Sequence, residues 1–242
     1  MNRLGVVFAI LCAGCTDTTY GVFILRNQVI GADCTIPAGS GTDYRGFGRL
    51  DVTNPIPGSS LENTGYIFAP AVVNGAMPNS AMPNVHTLFM GGADVELRSD
   101  GSAQSNALIG ALAARPIPLN KRTQHFSGAI AAGATAGVGY PIIDAEQASA
   151  IADVIDTGQD VQVIAHTRIF GTVDGSSVSS DPFDFPIAVC KGCLVEELGP
   201  CAGLTMSTTI HKGGQCNLLQ DSLLSCCTTA TGQTCPAVLP GK

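Results

Sequence analysis

The chain has no tryptophan and few charged side chains. Charged residues make up 13% of the sequence, about half of the ~25% that is usual for globular proteins. The 12 Lys and Arg are outnumbered by 19 Asp and Glu, which gives a formal net charge of −7. Because the few basic residues form no stripe, we expect no nucleic-acid partner. Low charge with 29 glycines is typical of a β-rich extracytoplasmic protein rather than of a helical cytosolic enzyme.

Sequence motifs of the common enzyme classes are also missing. The chain contains no GxSxG nucleophile elbow, HExxH zinc helix, GxGxxG fingerprint or P-loop. The four histidines (His86, His125, His166 and His211) show no metal-ligand spacing. We therefore expect no catalytic residue, no metal site and no cofactor.

The N-terminal end carries the first positive signal. Asn2 and Arg3 precede an uncharged run, Leu4 to Leu11, and the small residues Ala13 and Gly14 follow. This order is that of a secretory signal peptide, which predicts that residues 1–14 are removed. The run is too short for a membrane helix, which needs about 20 apolar residues.

The small pair directly before Cys15 resembles the lipobox of bacterial lipoproteins, although Cys12 occupies the position where that family usually has Leu. The resemblance implies cleavage before Cys15 and attachment of a diacylglycerol to its sulfur, with residues 15–20 as a lipid-proximal tether. Two alternatives stay open. The chain could be secreted after cleavage nearby, or it could keep an intact N-terminal strand with a stray cysteine pair.

Residues 21–189 read as a series of strands separated by Gly, Pro, Asn and Asp, which predicts an antiparallel β-sandwich. The predicted strands are Gly21 to Ile30, Gly46 to Thr53, Gly65 to Val73, His86 to Met90 continuing to Leu97, His125 to Ala131, and Val161 to Val173. Asp174 and Gly175 predict a tight hairpin that pairs the last of these with about Ser177 to Val189. Pro182 and Pro186 place the returning strand at an edge or a bulge.

One segment has a helical pattern. Asp144 with Gln147 forms a capping-box sequence, and apolar residues recur at helical spacing afterwards. We predict one short helix, Ala145 to Ile155, covering an end of the sandwich.

An uncharged stretch runs between Glu62 and Asp94 and includes the surface-loop sequence NGAMPNSAMPN, Asn74 to Asn84. We interpret this stretch as buried strands with Gly- and Ala-rich loops. The alternative is an exposed apolar surface for contact with a partner or the envelope.

The C-terminal part, residues 190–242, is rich in cysteine. An exported protein in an oxidising compartment uses such a cluster as a disulfide framework. Removal of Cys12 and acylation of Cys15 leave eight cysteines, of which seven lie in this part, so Cys34 must bridge to one of them if all eight pair. The predicted disulfide set is Cys34, Cys190, Cys193, Cys201, Cys216, Cys226, Cys227 and Cys235. The connectivity stays open, except that Cys226 and Cys227 should have different partners.

Two alternative roles for these cysteines each lack a condition that they require. A zinc site could combine Cys190 and Cys193 with Cys216, Cys226 and Cys227, but thiolate ligands need reducing conditions. A thioredoxin-like pair at Cys190 and Cys193 would need a βαβ context that the sequence lacks.

The lipobox-like start, the segment SSDPFDFPIAVCKGCL, the segment CNLLQDSLLSCC and the late TCP together resemble uncharacterised predicted lipoproteins of Gram-negative bacteria. The resemblance implies an outer-membrane lipoprotein with a β-rich domain and a cysteine-rich C-terminal module, and it implies no activity. We expect a non-catalytic protein of the cell envelope or cell surface, held by its lipid anchor, with a structural, adhesive or binding role and an envelope protein or glycan as partner. The alternative is a secreted hydrolase or carbohydrate-binding accessory protein. That alternative requires Asp94 or Glu96 to face another carboxylate across a cleft lined by Tyr44, Tyr66 or Tyr140.

Overall fold

The computed structural model describes residues 21–39, 43–53, 65–82, 84–205 and 207–236. The predicted signal peptide, Cys15 and the tether lie outside these residues. Strand accounts for 46% of the structure and helix for 12%, so the mainly-β prediction is confirmed. Neither helix in the described ranges has the length and apolar character that a bilayer span requires.

Fifteen strands occur in the described ranges. They are β1 (Val22–Gln28), β2 (Tyr44–Arg45), β3 (Gly48–Asp51), β4 (Tyr66–Phe68), β5 (Pro70–Asn74), β6 (Leu88–Ser99), β7 (Lys121–Ile130), β8 (Thr135–Gly137), β9 (Tyr140–Ile143), β10 (Asp160–Val173), β11 (Ser176–Ser179), β12 (Phe183–Cys190), β13 (Val195–Pro200), β14 (Leu224–Thr229) and β15 (Gly232–Thr234). The helices are α1 (Ala103–Ala113) and α2 (Ala145–Ala152).

The strands form two main sheets and two small ones. One main sheet has the order β2-β1-β5-β8, and the other has the order β3-β12-β10-β6-β7 with β11 also paired to β10. The small sheets are β13-β14-β15 and β4-β9. Most pairs are antiparallel, but β3 runs parallel to β12 and β13 runs parallel to β14.

Both main sheets turn one face toward a common core. Val22 and Val72 of the four-stranded sheet belong to the same buried cluster as Leu97 and Ile169 of the six-stranded sheet. Phe68 of β4 is fully buried in this cluster, and its ring centroid lies 5.2 Å from that of Phe185 and 5.7 Å from that of Tyr140. Such aromatic contacts stabilise a core beyond the apolar area that they bury.

The predicted hairpin is present and tight. Val173 pairs with Ser176 across Asp174 and Gly175, whose φ angles are 50° and 79°, as a primed two-residue turn requires. The returning chain is split into β11 and β12, with Pro182 in the break. Pro186 pairs with Ile164 of β10, and β3 joins β12 only from Ile187 onward. The proline-containing half is therefore an edge, while the other half lies inside the sheet.

The predicted helix is α2, and it ends three residues earlier than expected, at Ala152. Asp144 accepts a hydrogen bond from the Gln147 backbone N–H, and the Gln147 side chain accepts one from the Asp144 backbone N–H. This reciprocal pair is the capping box that the sequence predicts.

The other helix, α1, was not predicted. Ser102 caps it by accepting a hydrogen bond from the Ser105 N–H, and Leu108 and Leu112 bury one face. The helix has no charged residue, and Gly110 lies in its interior, so the charge and capping-box signals that marked α2 are missing here.

Candidate functional site

All eight cysteines of the described residues are paired. The pairs are Cys34–Cys216, Cys190–Cys193, Cys201–Cys227 and Cys226–Cys235. Cys34 thus bridges to the C-terminal part, and the neighbours Cys226 and Cys227 have different partners. The five cysteines of the zinc alternative are distributed over all four disulfides, so the structure does not bring them together as one ligand set.

The Cys190–Cys193 turn is organised by a buried carboxylate. Asp51 of β3 is fully buried, and its Oδ1 accepts hydrogen bonds from the backbone N–H groups of Thr53 and Gly192, both at 2.9 Å. Its Oδ2 accepts from the Leu194 N–H at 2.8 Å. A buried carboxylate is stable in such a position because N–H donors replace the water that it loses.

Asp51, Cys190 and Cys193 are the one group in the described ranges that places three possible metal-ligand atoms within 4.8 Å of one another. The set does not suit a metal ion. Both sulfurs belong to a disulfide, and both Asp51 oxygens already accept hydrogen bonds from N–H groups. The Asp51 carboxylate therefore stabilises the Cys190–Cys193 turn through these hydrogen bonds.

A larger polar site lies where the C-terminal segment meets β3 and β4. The Gln220 side chain accepts from the Ile67 N–H and donates to the Ile67 carbonyl, each at 2.9 Å. Asp51 donates its N–H to the Leu219 carbonyl at 2.9 Å, and Asp221 donates its N–H to the Arg49 carbonyl at 2.9 Å. The segment 217–221 therefore lies along both strands and is tied to their backbones.

We call this contact between the segment 217–221 and the strands β3 and β4 the junction, and Asp221 lies at its centre. Its Oδ1 accepts from the Arg49 N–H at 2.7 Å and its Oδ2 accepts from the Tyr66 hydroxyl at 2.8 Å. The Arg45 Nε lies 3.3 Å from Oδ2. Burial raises the pKa of Asp221, and the Arg49 N–H, the Arg45 charge and the Tyr66 hydroxyl partly oppose that rise.

Tyr66 is fully buried beside this carboxylate. Burial first, and the negative charge of Asp221 second, raise the pKa of Tyr66 far above its usual value. The phenol therefore stays protonated and donates a hydrogen bond, so it is unsuited to act as a nucleophile or base.

A cavity of about 180 Å³ opens beside the junction. Its wall includes Gln28, Arg45, Tyr66, Cys216 and Asp221. The buried Gln28 amide donates from Nε2 to the Pro37 and Ala69 carbonyls, and its Oε1 has no partner among the described residues. A polar cavity of this size can hold several water molecules, which would supply that acceptor with a donor.

A second polar surface is the outer face of the six-stranded sheet, which carries a groove of about 530 Å³. Glu96 pairs with Lys121 at 2.8 Å and with Arg98 at 2.6 Å, and these two cations lower the pKa of Glu96. Arg168 is exposed on the neighbouring strand opposite Asp94. We call the outward side chains Asp94, Glu96, Arg98, Lys121, His166 and Arg168 the charged face.

The hydrolase alternative requires a second carboxylate near Asp94 or Glu96 and a tyrosine in the groove. Asp94 accepts a hydrogen bond from the Thr123 hydroxyl at 2.7 Å, and the β10 residues opposite Asp94 and Glu96 are Arg168 and His166. A further carboxylate, Asp184 of β12, pairs with His166 at 2.6 Å, and His166 stands between it and Glu96. None of the three tyrosines of that alternative lines the groove. Tyr66 and Tyr140 are buried in the core rather than lining this groove.

Sequence reasoning missed the junction. Gln220 and Asp221 stand inside CNLLQDSLLSCC, between cysteines that predict only the disulfide framework. The signal was available, because an acid in an apolar run has to find partners when it is buried. No sequence pattern pointed to Arg45 or to β4 as those partners.

Comparison with known proteins gives no relative. No family model, curated protein or solved structure matches the chain. The strand content and the four disulfides define the class, which is a disulfide-bonded, mainly-β protein.

Proposed function

We propose that this chain is an exported, lipid-anchored protein of the cell envelope with a non-catalytic binding or structural role. The observation that carries the proposal is the disulfide framework, in which every described cysteine has a partner. Disulfides persist in oxidising compartments and are rare in the cytosol. The signal-like start of the sequence gives the route to such a compartment, and Cys15 gives a site for the anchor.

The junction supports a role without catalysis. Asp221 and Tyr66 bond to each other, and both have raised pKa values. Their hydrogen bonds connect the C-terminal segment to β3 and β4, so the polar groups that converge here stabilise the fold instead of presenting a reactive atom to the cavity.

We assign the binding role to the charged face, because Asp94, Arg98, Lys121 and Arg168 are exposed on one face of the six-stranded sheet. Arg168 is exposed and is in none of the ion pairs of the described residues, so it can pair with an acidic group of an envelope glycan or protein. Co-sedimentation with isolated envelope glycan tests this assignment. Arg168→Ala should weaken binding, whereas Arg115→Ala, which removes an ion pair with Asp153 elsewhere on the surface, should not.

Intact-mass spectrometry of the protein from its native envelope tests the proposal as a whole. Acyl groups on Cys15 and a gain of about eight daltons on reduction, two for each of the four disulfides, are expected. An unmodified chain that begins at Met1 and has free thiols would overturn the proposal.

A further inference from the structure

The four-stranded sheet carries an unusual share of the exposed apolar side chains. Eleven large apolar side chains are substantially exposed in the described residues. Seven of them lie on this sheet, in its flanking turns or in the loop that follows β5: Phe23, Leu25, Val29, Tyr44, Phe47, Met77 and Met82. Met77, at 86% exposure, is the most exposed of the eleven.

The direction of Phe23 is fixed by its neighbours. Val22 belongs to the core, and Ile24 packs against it, so Phe23 points to the outside of the sheet. Its ring lies over Gly75, because a Cβ at that position would come within 2.8 Å of Phe23 Cε2. The loop with Met77 and Met82 therefore starts beside Phe23.

The charge of this sheet also differs from that of the whole chain. The strands β1, β2, β5 and β8 contain no Asp or Glu, in a protein of net charge −7. Their two basic residues are Arg26 and Arg45, and the charge of Arg45 is paired with Asp221. The loop from Gly75 to Met82 contains no charged residue. The strands of this sheet therefore present exposed apolar side chains and no carboxylate of their own to an anionic lipid surface, and the exposed acids Asp33 and Asp43 lie between β1 and β2.

The position of the predicted lipid anchor favours a lipid bilayer as the partner of this sheet. Five residues separate Cys15 from Gly21, and an extended chain of that length spans about 20 Å at most. An acylated Cys15 would hold the start of β1 within that distance of the bilayer. A sheet with exposed apolar side chains next to such a tether reaches the lipid interface without any change of fold.

We propose that the outer side of the β2-β1-β5-β8 sheet, with the loop 75–82, rests on the phospholipid surface when the protein is anchored. This inference depends on the lipid anchor of the proposed function. The charged face belongs to the other sheet and points away from the same core, so it is turned toward solvent and toward a partner.

The absence of native tryptophan allows a direct test with single-tryptophan variants of the full-length, lipidated protein. Phe23→Trp and Leu25→Trp place the probe on the proposed membrane side. Phe89→Trp is the matched control, because Phe89 is 58% exposed and its neighbours Leu88 and Met90 lie in the core, which directs it outward from the opposite sheet. Each variant is reconstituted in phosphatidylethanolamine and phosphatidylglycerol vesicles with or without brominated acyl chains.

We expect brominated lipid to quench the emission of F23W and L25W, with a shift to shorter wavelength, and to leave F89W unchanged. Equal emission of all three variants, or quenching of F89W, would overturn the docking. The mass of the same preparation separates this failure from that of the anchor. An acylated Cys15 with unquenched F23W and L25W removes the docking alone, whereas an unacylated Cys15 overturns both proposals.

Discussion

Removal of the Cys34–Cys216 disulfide, as Cys34→Ser with Cys216→Ser, should cost more stability than any other single cross-link. The bridge joins residues 182 positions apart in the sequence. In the chain-entropy treatment, opening a loop of that length raises the entropy of the unfolded chain by about 18 cal/mol/K, or about 5 kcal/mol at 25 °C. In the wild-type protein, the Cys201–Cys227 bridge does not shorten the covalent path from Cys34 to Cys216 by much. The loop that the Cys34–Cys216 bridge closes is therefore long.

The position of the bridge makes this a clean measurement. Cys34 is exposed and Cys216 is half-buried, so the two serines leave no fully buried hydroxyl. Some of the entropic effect is lost to residual structure in the unfolded chain, and we expect a decrease of about 3 to 5 kcal/mol in the free energy of unfolding. Against a typical total of about 5 to 15 kcal/mol, that is a large fraction.

Urea unfolding followed by far-UV circular dichroism measures the change, since the chain has no tryptophan for fluorescence. The slope of unfolding free energy against urea should also increase, because the less cross-linked chain exposes more surface. Cys190→Ala with Cys193→Ala is the control. Those residues are 3 positions apart, and the same treatment gives about 2 kcal/mol. The control also gives up the packing of the fully buried Cys190, so its loss can exceed the entropic figure. A loss below about 1 kcal/mol for the long bridge would refute the reasoning.

Four further substitutions test the electrostatics, the cap and the junction. Burial raises the pKa of Asp221, so the folded state binds the proton more tightly than the unfolded state. As the pH rises above the ordinary Asp range, wild type should therefore lose stability relative to Asp221→Asn. A relative gain of wild type in urea unfolding would contradict this. The pKa of Glu96 is lowered by Lys121 and Arg98, so Glu96→Gln should show the opposite sign, with a small advantage of wild type that disappears as pH falls through the Glu range. Asp144→Ala should cost about 1 to 2 kcal/mol in thermal or urea unfolding, because it removes the cap of α2, and a loss below about 0.3 kcal/mol would contradict this role. Tyr66→Phe deprives the buried Asp221 of a donor and should cost about 1 to 3 kcal/mol, and an unchanged urea midpoint would show that the bond contributes nothing.

The sequence was most informative where local chemistry decides the structure. The Asp174-Gly175 hairpin and the Asp144 capping box each depend on a few adjacent residues, and both were predictable. The helix α1 was missed because its signals are weak and its stability comes from Leu108 and Leu112 packing into the core. Burial against distant strands is a tertiary effect that a local pattern does not report.

The junction was unpredictable for the same reason at longer range. Asp221 meets Arg49 and Tyr66 across sequence separations of 172 and 155. The need for a partner can be inferred from one acid in an apolar run, but the identity of that partner depends on the sheet order. The Cys34 bridge was the exception, because it could be predicted without knowledge of the fold. The C-terminal part has an odd number of cysteines, so one of them has to pair with Cys34 if all are to form disulfides.

The two edges of the six-stranded sheet show what this link does for the fold. An open strand edge invites pairing with other chains, and proteins cover or interrupt such edges. At one edge, β3 is covered by the C-terminal segment, which exchanges backbone hydrogen bonds with Arg49 and Asp51. At the other edge, β7 begins with Lys121 and its register with β6 shifts between Met90 and Gly92, so a charge and an irregularity interrupt the edge. The segment that covers β3 begins immediately after Cys216, and the bridge to Cys34 therefore holds in place the chain that closes this edge.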